Sequence, residues 1–324
     1  MPKARWRMVY GSMRLPRPLP DALRGQPFTL VEAKALGVGV ERLRASDLRV
    51  PSRSIRVPRG ELRDLADSCR PYLELVPGAV ISHVTAARLH GLALPRRLAD
   101  EPVLHLSRRP GQGMPRRRNV VGHRLDLAPR EQSVVRGLPV TGIARTWLDL
   151  AGMLSQEELI VMGDQIVSAH RRSFGPPRMA LVPLEELKRY LAGKDRVAHI
   201  RKCRSALDRV RVGVDSPPET VLRLMLSADP ELPEFTPNVA LCDDTGEARI
   251  WTDLGCGEFR TCLEYDGAHH LTPEQQARDH YRDLKTAELG WTQVKISKTD
   301  LAQGRRSVQA KVRRGLAMAG WCRP

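Results

Sequence analysis

The chain has 324 residues, 41% of them hydrophobic, and a formal net charge of +16. That length favours two or three compact units, each able to bury an ordinary core. No run approaches the roughly 18–20 apolar residues of a membrane span, and six cysteines without a C-x-x-C pair argue against a cysteine-only zinc site or a disulfide framework.

The basic start of the chain lacks an apolar h-region and a small-residue cleavage site, so the expectation is a cytoplasmic protein. Its charge is unevenly divided. Residues 1–214 carry 39 Lys and Arg against 20 Asp and Glu, a balance of +19, whereas residues 215–324 carry 14 against 17, or −3. A polyanion partner would therefore be held by the first two thirds, through phosphate neutralisation and counterion release. The last third is locally acidic, as a divalent-metal site needs to be. A GC-rich genome produces the same arginine excess without selection for binding.

Phe28, Val31, Ala35 and Leu36 fall close to helical spacing, with Thr29 as the N-cap, and Gly37 permits a turn. Val40, Leu43 and Leu48 suggest a second helix whose other faces show Arg42, Arg44 and Arg49. A helix, a glycine turn and an Arg-bearing helix make a helix-turn-helix pattern. The stretch from Val50 to Gly60, which includes Arg53, then alternates apolar and basic residues as a β-wing does. A helical hairpin whose arginines merely solvate its surface has the same pattern.

Residues 61–152 read as mixed α and β, with helices near 61–73 and 82–92 and strands near 102–106 and 119–125. Between those strands runs a loop of Gly, Pro and arginine that includes Arg116, Arg117 and Arg118. It reads as a flexible cationic arm suited to phosphate or minor-groove contact, although charge runs are more often only solvated. Arg145 and Asp149, spaced i,i+4 on a helix over 143–152, form a structural pair. From 153 to 213 the pattern is helical, and Gly213-Val214-Asp215-Ser216-Pro217-Pro218 marks a boundary. The expected division is thus 1–75, 76–213 and 214–324.

Ser216, Pro217 and Glu219 form the sequence pattern of a capping box at the start of a helix through Leu226, a sufficient structural reason for Glu219 beside a metal role. Three short strands follow, near 238–241, 249–254 and 259–265, separated by Gly246, Gly255 and Gly257 and so read as an antiparallel meander. Glu264 and Asp266 are i,i+2 and share a face, and the hairpin brings Asp253 beside Glu264. Carboxylates converging at strand ends repel one another, and a divalent cation is the usual relief. Solvated sheet-edge carboxylates are the plainer alternative, but Glu264 follows Cys262-Leu263 in an apolar strand, where an unpaired carboxylate is costly.

Asp253, then Glu264-Tyr265-Asp266-Gly267-Ala268-His269-His270, then Arg278-Asp279-His280-Tyr281-Arg282-Asp283 and Leu289-Gly290-Trp291, resemble the very-short-patch-repair endonuclease-like group, a branch of the PD-(D/E)xK superfamily. The resemblance covers roughly residues 215–315. It implies a restriction-endonuclease-like α-β-β-β-α-β core, with Asp253 and Glu264 as ligands of Mg²⁺ or Mn²⁺. One departure matters. The superfamily places lysine two residues after the glutamate, where this chain has Asp266. A cation must then come from elsewhere, and Lys285 or Arg282 on the helix from Pro273 is in reach, or His270 serves as general acid or base. The first 150 residues, at Phe28–Gly37, Arg53–Val57, Ser82–Gly91 and Gly137–Thr146, are similar to the AbiEi-type antitoxin and transcriptional-regulator family, whose winged helix binds promoter DNA. A toxin or defence-system partner is an expectation in keeping with that similarity.

The expected fold is α+β and multidomain: an N-terminal winged helix, an arginine-rich α+β middle region and a C-terminal restriction-endonuclease-like core. The expected function is DNA binding coupled to metal-dependent phosphodiester hydrolysis, with Asp253, Glu264 and Asp266 at the metal. A non-catalytic, antitoxin-like regulator carrying a degenerate nuclease fold is the alternative. An RNA-directed nuclease is a third reading, disfavoured by an aromatic content of only 4%.

Overall fold

The structure, a computed structural model, describes residues 16–60, 64–171, 177–267 and 272–323. It is α+β, and its contacts divide the chain into two units, one of residues up to Ile81 with Pro102–Val140, the other of Ser82–Glu101 with Thr141–Pro324. Among the described residues no helix is long and apolar enough to cross a membrane.

The first unit begins with β1 (Phe28–Thr29), α1 (Leu30–Ala35), α2 (Val40–Leu43), β2 (Leu48–Arg49) and β3 (Ile55–Pro58). Thr29 caps α1 as expected. Its hydroxyl accepts the Glu32 N–H at 3.2 Å, and Glu32 accepts the Thr29 N–H at 2.6 Å, so two otherwise orphaned donors are satisfied. Gly37, at φ +74°, makes the turn that follows. The strands pair antiparallel in the order β1-β3-β2 over a core of Leu19, Leu23, Phe28, Ala33, Leu43 and Leu48.

After α3 (Leu65–Leu75) and β4 (Val80–Ile81) the chain runs through α4 (His83–Leu89) and α5 (Arg96–Ala99), which belong to the second unit. It returns for β5 (Leu104–Arg108), β6 (Val120–Arg124), β7 (Gln132–Val135) and β8 (Leu138–Thr141), which with β4 form a mixed sheet in the order β6-β5-β4-β8-β7. β5 and β6 are parallel, so the connection at 109–119 is a crossover. That crossover is tied down. Arg117 donates to the Arg53 carbonyl, and Asn119 Nδ2 donates to the Pro51 carbonyl at 3.0 Å. In the same sheet His105 Nδ1 and His123 Nε2 lie 2.9 Å apart with ring planes at 18° and centroids 5.1 Å apart, the geometry of an in-line N–H···N bond sharing one proton.

In the second unit α4, α5, α6 (Ile143–Asp149), α7 (Gln156–Val167), α8 (Leu184–Ala192) and α9 (Ile200–Leu207) enclose a core that includes Trp147, Ile160, Met162, Leu187 and Cys203. The Arg145–Asp149 pair is buried here at 2.8 Å, a structural contact within α6. The chain continues through α10 (Pro217–Ser227), β9 (Thr236–Cys242), β10 (Ala248–Cys256), β11 (Thr261–Asp266), α11 (Pro273–Glu288), β12 (Thr292–Ser297), α12 (Lys298–Ala302) and α13 (Arg305–Met318). β9, β10 and β11 form the expected antiparallel meander, and β12 adds in parallel to β11, giving the order β12-β11-β10-β9. α13 lies close on the sheet at Gly315, where a Cβ would stand 2.3 Å from Val294 Cγ2.

The boundary expected at 213/214 falls inside this unit, and α10 is the reason. Its Leu224 packs into the helical core while Leu222 and Leu226 pack under the sheet. Fully buried Asp164 of α7 accepts from Thr220 Oγ1 at 2.9 Å, Arg223 Nη2 at 2.7 Å and the Arg211 N–H at 2.8 Å. Burial pushes the Asp164 carboxyl up, and the Arg223 guanidinium opposes that shift. Removing one partner of a buried ion pair leaves the other charge uncompensated. Asp164→Ala is therefore expected to cost the second unit about 3 kcal/mol, read as a lower urea midpoint in the full chain; an unchanged midpoint contradicts the role given to this contact.

Candidate functional site

β10 and β11 pair from Leu254↔Leu263 to Cys256↔Thr261, and the regular ladder stops there. The next residues outward, Asp253 and Glu264, therefore face each other where the strands part. Side chains of β10 take over the missing bonds. Thr252 Oγ1 donates to the Leu263 carbonyl at 3.0 Å, and Asp253 Oδ2 accepts the Tyr265 N–H at 2.7 Å. Asp253 is thus fixed by the backbone of the neighbouring strand.

Glu264 lies on the face of β11 opposite to Leu263, which packs in the sheet core. Arg282 reaches it from α11: Nη2 donates to Glu264 Oε1 at 2.9 Å and to the Trp251 carbonyl at 3.0 Å. Burial and the neighbouring Asp253 push the Glu264 carboxyl up to about 7, against the opposing pull of Arg282.

Glu219 joins the same cluster from α10. It is 7% exposed, and burial followed by the charge of Asp253 raises it to about 7. Its oxygens accept from the Ser216 hydroxyl at 2.7 Å and from the Asp215 N–H at 2.9 Å. The capping box expected here takes another form. The Ser216 hydroxyl donates to Glu219 instead of accepting a helix N–H, and the N–H received by Glu219 belongs to Asp215, not Ser216. The local pattern offered a sufficient structural reason for Glu219, while its approach to Asp253 depends on α10 packing beside β10.

Other expected site residues lie further out. Asp266 is exposed at the end of β11, in register with Ser297 of β12 and two residues beyond Glu264. Lys285 donates to Glu288 on its own helix at 2.8 Å. His270 lies outside the described residues, as does His269. Lys295, which the sequence reading passed over, is in register with Glu264 on β12 and donates to Asp283 at 2.6 Å. Its signal was a lysine between two apolar residues, Val294 and Ile296, which by strand alternation turns it away from their core.

In the first unit Arg42 is committed internally. Its side chain is only 12% exposed, and two guanidinium nitrogens bind Asp47 at 2.9 and 2.7 Å. Arg44, Arg49, Arg53, Arg116 and Arg118 are exposed, and Arg117 is half-buried in its contact with the Arg53 carbonyl. The crossover bonds of Arg117 and Asn119 therefore bring the Arg116–118 run to the turn that carries Arg53.

Asp253 of β10 faces Glu264 of β11, its charge also raises Glu219 of α10, and the Arg282 guanidinium lies on Glu264. Oxygen donors, burial and like charge that Arg282 only partly offsets suit a hard divalent cation. No family model matches the chain, and no curated protein matches it.

The raised carboxyls have a consequence for stability. A folded value near 7 for Glu264, above the ordinary 4.5, means the folded state holds the proton more tightly. Stability from this group is full below about 4.5 and is lost as pH rises through 7. Without divalent metal, Glu264→Gln should therefore melt above the wild type at pH 8 and show no advantage at pH 4.5. A variant that melts lower at pH 8 contradicts this electrostatic account.

Proposed function

We propose that the chain is a DNA-binding protein whose second unit hydrolyses phosphodiester bonds with a divalent cation held by Glu219, Asp253 and Glu264. The observation that carries the reading is that Asp253 and Glu264 face each other where β10 and β11 part, with buried Glu219 near enough to be raised by the Asp253 charge. The succession α10-β9-β10-β11-α11-β12 also agrees with the α-β-β-β-α-β order implied by the resemblance to the very-short-patch-repair-like group. In the first unit, two helices between β1 and β2 and the strand order β1-β3-β2 agree with a winged helix.

When bound, Mg²⁺ or Mn²⁺ supplies Lewis acidity to the phosphodiester and lowers the pKa of its water. The protein's own residues prepare that site. Asp253 is held by the Tyr265 N–H, Glu264 by Arg282, and Glu219 by Ser216 and Asp215. Arg282 adds positive charge beside the carboxylates, a preorganised feature that favours a phosphoryl group accumulating negative charge. The exposed arginines of the wing turn and crossover hold the DNA backbone by phosphate contacts.

A second reading keeps the fold and drops the chemistry. Asp266 stands where the superfamily has its lysine, and Arg282 neutralises part of the cluster as it stands. On that reading the chain is a regulator that binds DNA without a metal requirement.

Supercoiled-plasmid cleavage separates the two. The wild type should nick with Mg²⁺ or Mn²⁺ and not with EDTA, and Asp253→Ala and Glu264→Ala should each lose at least about 100-fold while remaining folded, because each removes charge stabilisation at the reacting centre. A folded, DNA-binding wild type that cuts no substrate with either metal supports the regulator instead. Replacing Arg116 and Arg118 together by alanine should weaken duplex binding irrespective of sequence and reduce the log–log salt slope by about 2. An unchanged slope removes these arginines from the interface.

A further inference from the structure

The segment between α7 and α8 lies outside the resemblance, yet it reaches the candidate site through one residue. His170 and Arg178 form an antiparallel bridge, with N–H to carbonyl distances of 3.1 and 3.0 Å. That bridge aims both side chains at Asp215. Arg178 Nη1 donates to Asp215 Oδ1 at 2.9 Å and to the Asp215 carbonyl at 3.0 Å, so one guanidinium fixes both the side chain and the main chain. His170 Nε2 is 3.1 Å from the same Oδ1. The Asp215 N–H in turn donates to Glu219 Oε2 at 2.9 Å.

α10 makes this upstream donor necessary. Pro217 and Pro218 open the helix and carry no N–H, so the first turn has fewer backbone donors to offer a carboxylate. Glu219 is nevertheless buried, and beside a like charge.

We propose that Arg178 is a positioning residue for Glu219: by clamping Asp215 it aims the Asp215 N–H at the Glu219 carboxylate and so holds that carboxylate beside Asp253 for cation binding. This rests on reading the carboxylate cluster as a divalent-cation site. It makes the helical segment before the sheet part of that site, although it contributes no ligand. Without Arg178 the Asp215 side chain loses the guanidinium on Oδ1 and its main chain loses a carbonyl anchor, so the N–H is less firmly aimed at Glu219.

The test is Mn²⁺ binding by the full chain, followed by the electron paramagnetic resonance signal of free Mn²⁺, with thermal midpoints in EDTA measured alongside. Arg178→Ala is expected to weaken Mn²⁺ on the order of 10-fold, the usual scale for partners that orient a ligand. Arg178→Lys should recover part of that loss, since its amine still pairs with Asp215. Glu219→Gln should weaken Mn²⁺ at least as much, and adding Arg178→Ala to it should cost nothing more, because the residues act in series. Arg178→Gln replaces the alanine variant if the latter is poorly folded. A folded Arg178→Ala protein that binds Mn²⁺ like the wild type overturns the proposal, as does a loss that adds in full to that of Glu219→Gln. Wild-type protein that takes up no Mn²⁺ at all overturns the cation reading of the cluster first, and the positioning role with it.

Discussion

Where β10 and β11 separate, the sheet must satisfy backbone groups that no longer face each other, and it does so with the side chains of Thr252 and Asp253. The same separation leaves Asp253 facing Glu264, with Glu219 of α10 within reach of the Asp253 charge and Arg282 as the cation beside Glu264. Like charges held together out of water raise one another's proton affinity, and two of these carboxyls stand near neutrality in consequence. The arrangement is a standing electrostatic cost. Folds retain such costs where a ligand relieves them.

The helix α10 connects this cost to the rest of the second unit. One side of it completes the helical core through Leu224, the other closes the sheet core through Leu222 and Leu226, and its first turn delivers Glu219. Asp164 pins it to α7 through Thr220 and Arg223, and Asp215 pins its entry to the His170–Arg178 bridge. A helix anchored at both its buried flank and its entry keeps little freedom to move Glu219. Rigid support of this kind is what a preorganised charged site requires.

The readable parts of this architecture were those with local signals. Alternation and glycine punctuation placed the three strands of the meander, Thr29 announced its helix start, and i,i+2 spacing put Glu264 and Asp266 on one face. Asp253 and Glu264 were readable as a pair because a hairpin of that length leaves little choice of neighbour. Long-range pairings left no such trace. Asp164 with Arg223, and Arg178 with Asp215, join residues far apart in sequence, and neither side shows a spacing that announces the other. Glu219 was obscured for the opposite reason, since a helix-start pattern already accounted for it. The run of Gly213 to Pro218 read as a boundary, and the helix its prolines open is shared by two cores. Arg42 carried a charge suited to DNA, and only the fold reveals that Asp47 holds it.

The most direct measurement is a crystal structure of the full chain soaked in Mn²⁺, with the metal located by its anomalous scattering. The account predicts a peak among Glu219, Asp253 and Glu264, with carboxylate oxygens of Asp253 and Glu264 within about 2.3 Å of it, the range of hard-cation–oxygen bonds. Ordered carboxylates with no peak between them, at a Mn²⁺ concentration that saturates related oxygen sites, would contradict it.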